Sequence, residues 1–288
     1  MDEPMKILTV DVEDWFHILD NAETATESEW VNFPHRLESG LMRILDVFDW
    51  HQQKATFFVV GWIARKYPDA VAEITRRGHE IACHSDLHQL VYKQNPLEFE
   101  DDLKRSLDTI EAATNYRPTA YRAPGFSITE DSTWAFDILA RNGIDTDCSV
   151  FPARRCHGGL PMFSSGKPCR LETIEGRMLR IFPIGFQNIF GSRLVFSGGG
   201  YFRLTPKMLL KHWFDKADYA MAYFHPRDFD PYQPQIPGLS SIQRFKSYVG
   251  LKTALNKLES VMEVTQFIPL REAAERVDWN KTQKVTIN

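Results

Sequence analysis

HEIACHSDLH, residues 79–88, sets a short apolar core against two histidines four residues apart. Ile81, Ala82 and Cys83 read as a buried strand, and His84 and His88 follow where that strand should end. Taken singly, a histidine is more often a hydrogen-bonded structural residue than a ligand. At i and i+4 on a helix, however, two rings share one face, about 6 Å apart along the axis, and both reach one ion. The spacing lacks the glutamate of HExxH, which excludes the zinc-protease reading. What the pair does depends on the other polar residues that the fold brings to it.

Outward from this stretch, strand-like and helix-like segments alternate. KILTVDV (6–12), ATFFVVG (55–61), TAYRAPG (119–125) and IDTDCSV (144–150) share the short apolar pattern of buried strands. Between the first two, residues 36–52 carry a helical stripe of Leu37, Leu41, Ile44, Leu45 and Phe48. Pro68 and Gly78 bracket a second helix, and Asn95, Pro96 and Glu98 open a third that runs to about Ala113. Thr129 opens a fourth that closes at Gly143. Repeated βα units predict an α/β fold with a parallel sheet, either open or closed into a barrel. No GxGxxG follows the first strand and no GxxxxGK[ST] occurs, so a nucleotide-binding sheet loses its best support. From 151 to 200 the alternation breaks. LETIEGRMLRIFPI (171–184) reads there as a hairpin turning at Glu175-Gly176, within an insertion over one end of the main domain. A helix from Pro206, the strand YAMAYF (219–224), a helix near 240–260, the strand VTQFIPL (264–270) and the helix REAAERV (271–277) complete one domain over 1–288.

The balance of 34 basic and 38 acidic residues leaves a net charge of -4, with no footprint for nucleic acid and no basic run for a membrane surface. No stretch of 18 uncharged apolar residues suggests a transmembrane segment, and the N-terminus has no signal-peptide pattern, so a cytoplasmic protein is expected. Cys83, Cys148, Cys156 and Cys169 lack CxxC spacing and read as free thiols.

Polar residues collect at the ends of predicted strands: Asp11, Glu13 and Asp14 on the first, His84 and His88 on the third, Arg122 on the fourth and His225 on the late one. In parallel α/β folds these ends converge on the face where sites are built. Asp11 falls inside the apolar pattern, and a buried carboxylate calls for a cation or strong donor nearby. Two imidazoles, one carboxylate and an open position make a catalytic zinc-type site.

The ordered set TVDVEDW, HEIACHSDLH, YRAPGFS and YFHPRDF resembles the motif series of the polysaccharide deacetylase family, the carbohydrate esterases related to NodB. The resemblance spans residues 6 to about 230. DVEDWF, SVFP and FSGGGYFRL further resemble a subgroup found with exopolysaccharide and surface-glycan biosynthesis. It implies a distorted (β/α) barrel of seven parallel strands and a metal-dependent deacetylase acting on an amino-sugar unit of a polysaccharide or glycan precursor. A divalent metal is expected, zinc first, with cobalt or nickel as alternatives. Carried over by motif, Asp11 is the general base, His84 and His88 are ligands, Arg122 holds Asp11 ionised, His225 is the general acid and the Gly125 N–H binds the oxyanion. The family commonly places base and ligand side by side, whereas Val12 follows Asp11 here; Glu13 or Asp14 then completes the ligand set, and strand alternation favours Glu13. An aspartate of the fifth strand, Asp145 or Asp147, is expected to orient His225. The SGGGYFR run with Phe190, Phe196, Tyr201 and Phe202 reads either as a sugar-binding surface or as a tight turn packed by core aromatics. The competing functions are a non-catalytic glycan-binding barrel and an amidohydrolase of small non-sugar amides.

Overall fold

The computed structural model describes residues 4–153, 158–163, 165–189 and 192–287. Its strands are β1 (Met5–Val12), β2 (Thr56–Val59), β3 (Glu80–Cys83), β4 (Ala120–Tyr121), β5 (Thr146–Asp147), β6 (Cys169–Glu172), β7 (Met178–Ile181), β8 (Gln187–Ile189), β9 (Ser192–Leu194), β10 (Tyr219–Phe224) and β11 (Lys284–Thr286). The fold is α/β, with mostly parallel strand pairing and surrounding helices. The chain forms two compact units interleaved in sequence. The first comprises residues up to Phe57, Arg77–His79 and Phe186–Leu270; the second takes Phe58–Arg76, Glu80–Gly185 and the chain from Arg271 on. No helix among the described residues is long and apolar enough to cross a membrane.

In the first unit β1 lies parallel to β10, from Met5 opposite Tyr219 to Val10 opposite Phe224. Every residue of β10 is buried, as an apolar run covered on both faces requires. The helix Leu37–Trp50 buries the whole stripe read from the sequence and packs on the turn Pro226–Phe229. Gly40 makes that approach possible, since a Cβ there would collide with the Pro226 carbonyl. The Gly-rich run after Phe196 has a similar cause. Gly198 bridges Tyr223, against which any side chain would clash, and the chain then enters the helix Gly199–Leu204. That helix is absent from the sequence reading. Of the aromatics expected beside it, Phe190 lies outside the described residues, Phe196 and Phe202 are core, and Tyr201 is half exposed.

The expected strand VTQFIPL is not one: only Ile268 bridges Ile7. Pro269 has no N–H to continue a ladder, and the helix Leu270–Arg276 begins at once. Buried Gln53 instead satisfies this segment, donating to the Met262 and Thr265 carbonyls and accepting the Phe267 N–H at 3.1 Å. The helix expected near 240–260 is two, Ser241–Tyr248 and Leu251–Met262, broken at Gly250.

In the second unit the strand order is β3-β4-β5-β7-β6-β11. The pairs β3–β4, β4–β5, β5–β7 and β6–β11 are parallel, whereas β6–β7 is the antiparallel hairpin read around Glu175-Gly176. The hairpin is therefore part of the sheet and not a cover over its end. Its outer strand carries β11, which the sequence reading lacks. The end of β2 joins β3 through His84 N–H to the Val59 carbonyl at 2.9 Å. The helix Pro96–Thr114 starts with the expected capping box: Asn95 Oδ1 accepts the Leu97 and Glu98 N–H groups, and Glu98 accepts the Asn95 N–H.

Gly40→Ala should push the helix Leu37–Trp50 off the turn that follows His225, at a cost of about 1–3 kcal/mol for overpacking. Thermal unfolding checks this; a melting temperature equal to wild type would show that the turn yields freely.

Candidate metal centre

The loop after β3 does not continue as a helix. Ser85 and His88 both adopt left-handed backbone, with φ 67° and 52°, so the i, i+4 helical face expected for the histidines does not form. The turn nevertheless brings the two rings together, with centroids 5.3 Å apart. His84 and His88 are both buried. His84 Nδ1 lies 2.7 Å from the Arg122 carbonyl, which can only accept, so Nδ1 carries the proton. The ring's lone pair is then on Nε2, the tautomer usual for a metal-binding imidazole whose other nitrogen meets a carbonyl.

On the first unit, β1 ends in a tight turn closed by Glu13 N–H to the Asp11 carbonyl at 3.1 Å. Asp11, Glu13 and His225 each offer a ligand atom, all within 4.8 Å of one another. His225 Nε2 is 3.8 Å from Glu13 and 3.9 Å from Asp11. Its Nδ1 is 3.1 Å from Asp228, whose Oδ2 also accepts the His225 N–H at 3.0 Å. Asp228 in turn pairs with buried Arg203, Nε to Oδ1 3.0 Å. Arg203 is pinned by the Lys246, Ser247 and Val249 carbonyls. Burial opposes charge on both partners, yet charge wins. Glu13, Asp228 and Asp11 push His225 up to about 9, and Arg203 with His225 holds Asp228 at about 2.

The two candidate carboxylates have different surroundings. Asp14 accepts from the Trp15 and Arg36 backbone and pairs with His35 Nδ1 at 2.7 Å. Glu13 instead has Asp11 and His225 beside it, so the two carboxylates differ in their neighbours.

Arg122 is wholly buried, its guanidinium 4.1 Å from the Phe58 ring centroid. Gly125 lies in the turn Pro124–Phe126 that follows it, with φ 62°. Of the fifth-strand aspartates, Asp145 is exposed and bonds Thr146, while Asp147 is buried and accepts the Ser149 N–H and hydroxyl at 2.9 and 2.6 Å. The aspartate on His225 Nδ1 is thus Asp228, from the same turn. The sequence reading missed it and Arg203, although HPRD carried a signal: an acid three residues after a histidine closes a capping box across a proline. Cys83, Cys148 and Cys169 are buried and form no disulfide among the described residues; Cys156 lies outside them.

Burial lifts Asp147 from 3.8 to about 7, against the opposing effects of Ser149 and Arg122. A carboxyl with a raised native pKa contributes stability that is full below its unfolded pKa and lost as pH rises through the native one. Wild type should therefore lose stability relative to Asp147→Asn between about pH 4 and pH 7. Denaturant titrations across that window test this, and parallel profiles would refute the buried-acid assignment.

Residues 24–144 match the polysaccharide deacetylase model, and residues 148–275 match a domain of unknown function, DUF3473. Over 117 residues the chain is 28% identical to a peptidoglycan-N-acetylglucosamine deacetylase of Bacillus cereus, covering 36% of this chain and 42% of that protein. Over 98 residues it is 32% identical to a chitooligosaccharide deacetylase of Bradyrhizobium sp., covering 34% and 42%. The matches thus span less than half of these relatives. A crystal structure from Mycobacterium smegmatis, assigned to the polysaccharide deacetylases, superposes with TM-score 0.67 at 19% identity, covering 100% of this chain and 95% of that one, which shows a shared fold. Residues 24–144 are thus similar to the polysaccharide deacetylases.

Proposed function

We propose that the protein is a metal-dependent deacetylase that hydrolyses the N-acetyl group of an amino-sugar unit in a polysaccharide or glycan precursor and releases acetate. The observation that carries this reading is the buried His84 and His88 pair, with ring centroids 5.3 Å apart and His84 Nδ1 already committed to a carbonyl. With Glu13 as the proposed carboxylate ligand, these histidines would hold a divalent ion, zinc by the character of the donor set, which when bound would polarise the acetyl carbonyl and acidify a water. Support for an amino-sugar substrate comes from the relatives named above. The finer placement with exopolysaccharide and surface-glycan enzymes rests on DVEDWF, SVFP and FSGGGYFRL alone.

The chain's own residues then divide the work. Asp11 takes the proton from the attacking water, and Arg122 keeps that carboxylate ionised. The Gly125 N–H donates to the oxyanion of the tetrahedral intermediate. His225 protonates the leaving sugar nitrogen, because an amide anion is too poor a leaving group to depart unassisted. With Nδ1 facing Asp228, His225 presents Nε2 on the side of Asp11 and Glu13, where that proton is needed.

Acetate release from N-acetylglucosamine oligomers tests the reading. Chelation should stop it and added zinc restore it, and His84→Ala should reduce it below detection; undiminished turnover by that variant would sink the metal assignment. Asp228→Asn should keep its metal and lose about 10–100-fold in kcat, the range of a positioned acid–base group. An unchanged kcat would remove Asp228 from the proton path.

A further inference from the structure

The loop that carries both histidines is held from beneath by a buried carboxylate that has no part in the chemistry above. Asp102 lies on the helix Pro96–Thr114 and is 3% exposed. Its two oxygens take one backbone donor each, the Asp86 N–H at 2.8 Å and the Leu87 N–H at 3.1 Å. Both amides lie between His84 and His88. One turn along the same helix, Ser106 Oγ donates to the Ser85 carbonyl at 2.9 Å. Three consecutive loop residues are therefore tied to one rigid element. The Asp86 side chain pairs with Arg65 and lies 3.5 Å from Arg105, so its charge is matched on the outer side.

The loop needs these ties. Left-handed backbone at Ser85 and His88 is unfavourable for residues with a Cβ, and such conformations persist only where the surroundings enforce them. We infer that Asp102 is a positioning residue for the metal centre: it holds residues 84–88 in the conformation that presents both imidazoles to one ion. This rests on the metal reading above. It predicts that the loop is organised before any ion binds, and that the organisation appears in affinity. A carboxylate suits the task better than an amide, because asparagine offers one acceptor oxygen and would turn its NH₂ group towards the second N–H.

Zinc affinity of the full chain, measured by competition with a fluorescent chelator, tests the inference together with hydrogen exchange at the Asp86 and Leu87 amides. Asp102→Asn should weaken zinc binding about 10–100-fold, as loss of a partner behind a ligand typically does. It should also accelerate exchange at both amides. Leu103→Ala, on the same helix, should lower the melting temperature yet leave zinc affinity within about twofold, since it touches no loop amide. Wild-type affinity in folded Asp102→Asn would overturn the assignment. Should that variant fail to fold, Ser106→Ala carries the test: several-fold weaker binding is expected, and no change overturns it. A wild-type protein that binds no zinc would sink the metal reading itself, while amide exchange in the variants would still decide whether Asp102 holds the loop.

Discussion

The hydrogen bond from His84 Nδ1 to the Arg122 carbonyl settles what the buried imidazole can do, and the neighbouring residues follow from it. An imidazole ring has two nitrogens, and a carbonyl partner on one leaves the lone pair on the other. Arg122 sits in the same strand-end turn that supplies this carbonyl, and its side chain is buried against Phe58. One short segment therefore sets the tautomer of a ligand and places a cation in the core. The physical logic extends to the other buried charges, each of which is matched from its own neighbourhood. Asp14 has His35 and the Arg36 amide, Asp228 has Arg203, and Asp102 has two loop amides. Desolvation makes any such group costly unless it is paired. Asp11 and Glu13 share one partner, His225, with a ligand atom of each of the three within 4.8 Å of the others.

Much of the architecture was legible because the chain states it locally. The apolar stripe of 36–52, the Asn95, Pro96, Glu98 capping box and the Glu175-Gly176 turn each encode an element within a few residues. The identity of the candidate site residues was legible for a different reason. Strand ends are short, and polar residues in them stand out against apolar runs. Alternation along β1 favours Glu13 over Asp14, and the two have different neighbours, Asp14 pairing with His35 and Glu13 lying beside Asp11 and His225.

What was not legible depends on partners distant in sequence. Nothing within 84–88 says that the loop leaves the helical path; the reason lies at Asp102, on another element. That residue had a faint signal, since a charged side chain interrupts the buried face formed by Phe99, Leu103 and Ile110. The segment 264–270 has strand-like composition, but its hydrogen bonds go to the Gln53 side chain, over 200 residues away. The Gly-rich run before Tyr201 suggests a turn or a ligand surface, whereas the close approach of Tyr223 accounts for Gly198. In each case a tertiary contact overrode a local preference.

The Arg203, Asp228 and His225 chain has a consequence for how the sequence divides into modules. Residues 24–144 carry the recognised deacetylase signature, with His84, His88, Arg122 and Gly125 inside it. The proposed acid and the arginine behind its aspartate lie in the stretch matched by a domain of unknown function, and both N-terminal carboxylates lie before either match. On the proposed chemistry the recognised stretch is not a catalytic module at all: it would hold ligands without a base, and an oxyanion donor without an acid. On that proposal, residues 148–275 would carry the proton donor and the ion pair that aims it.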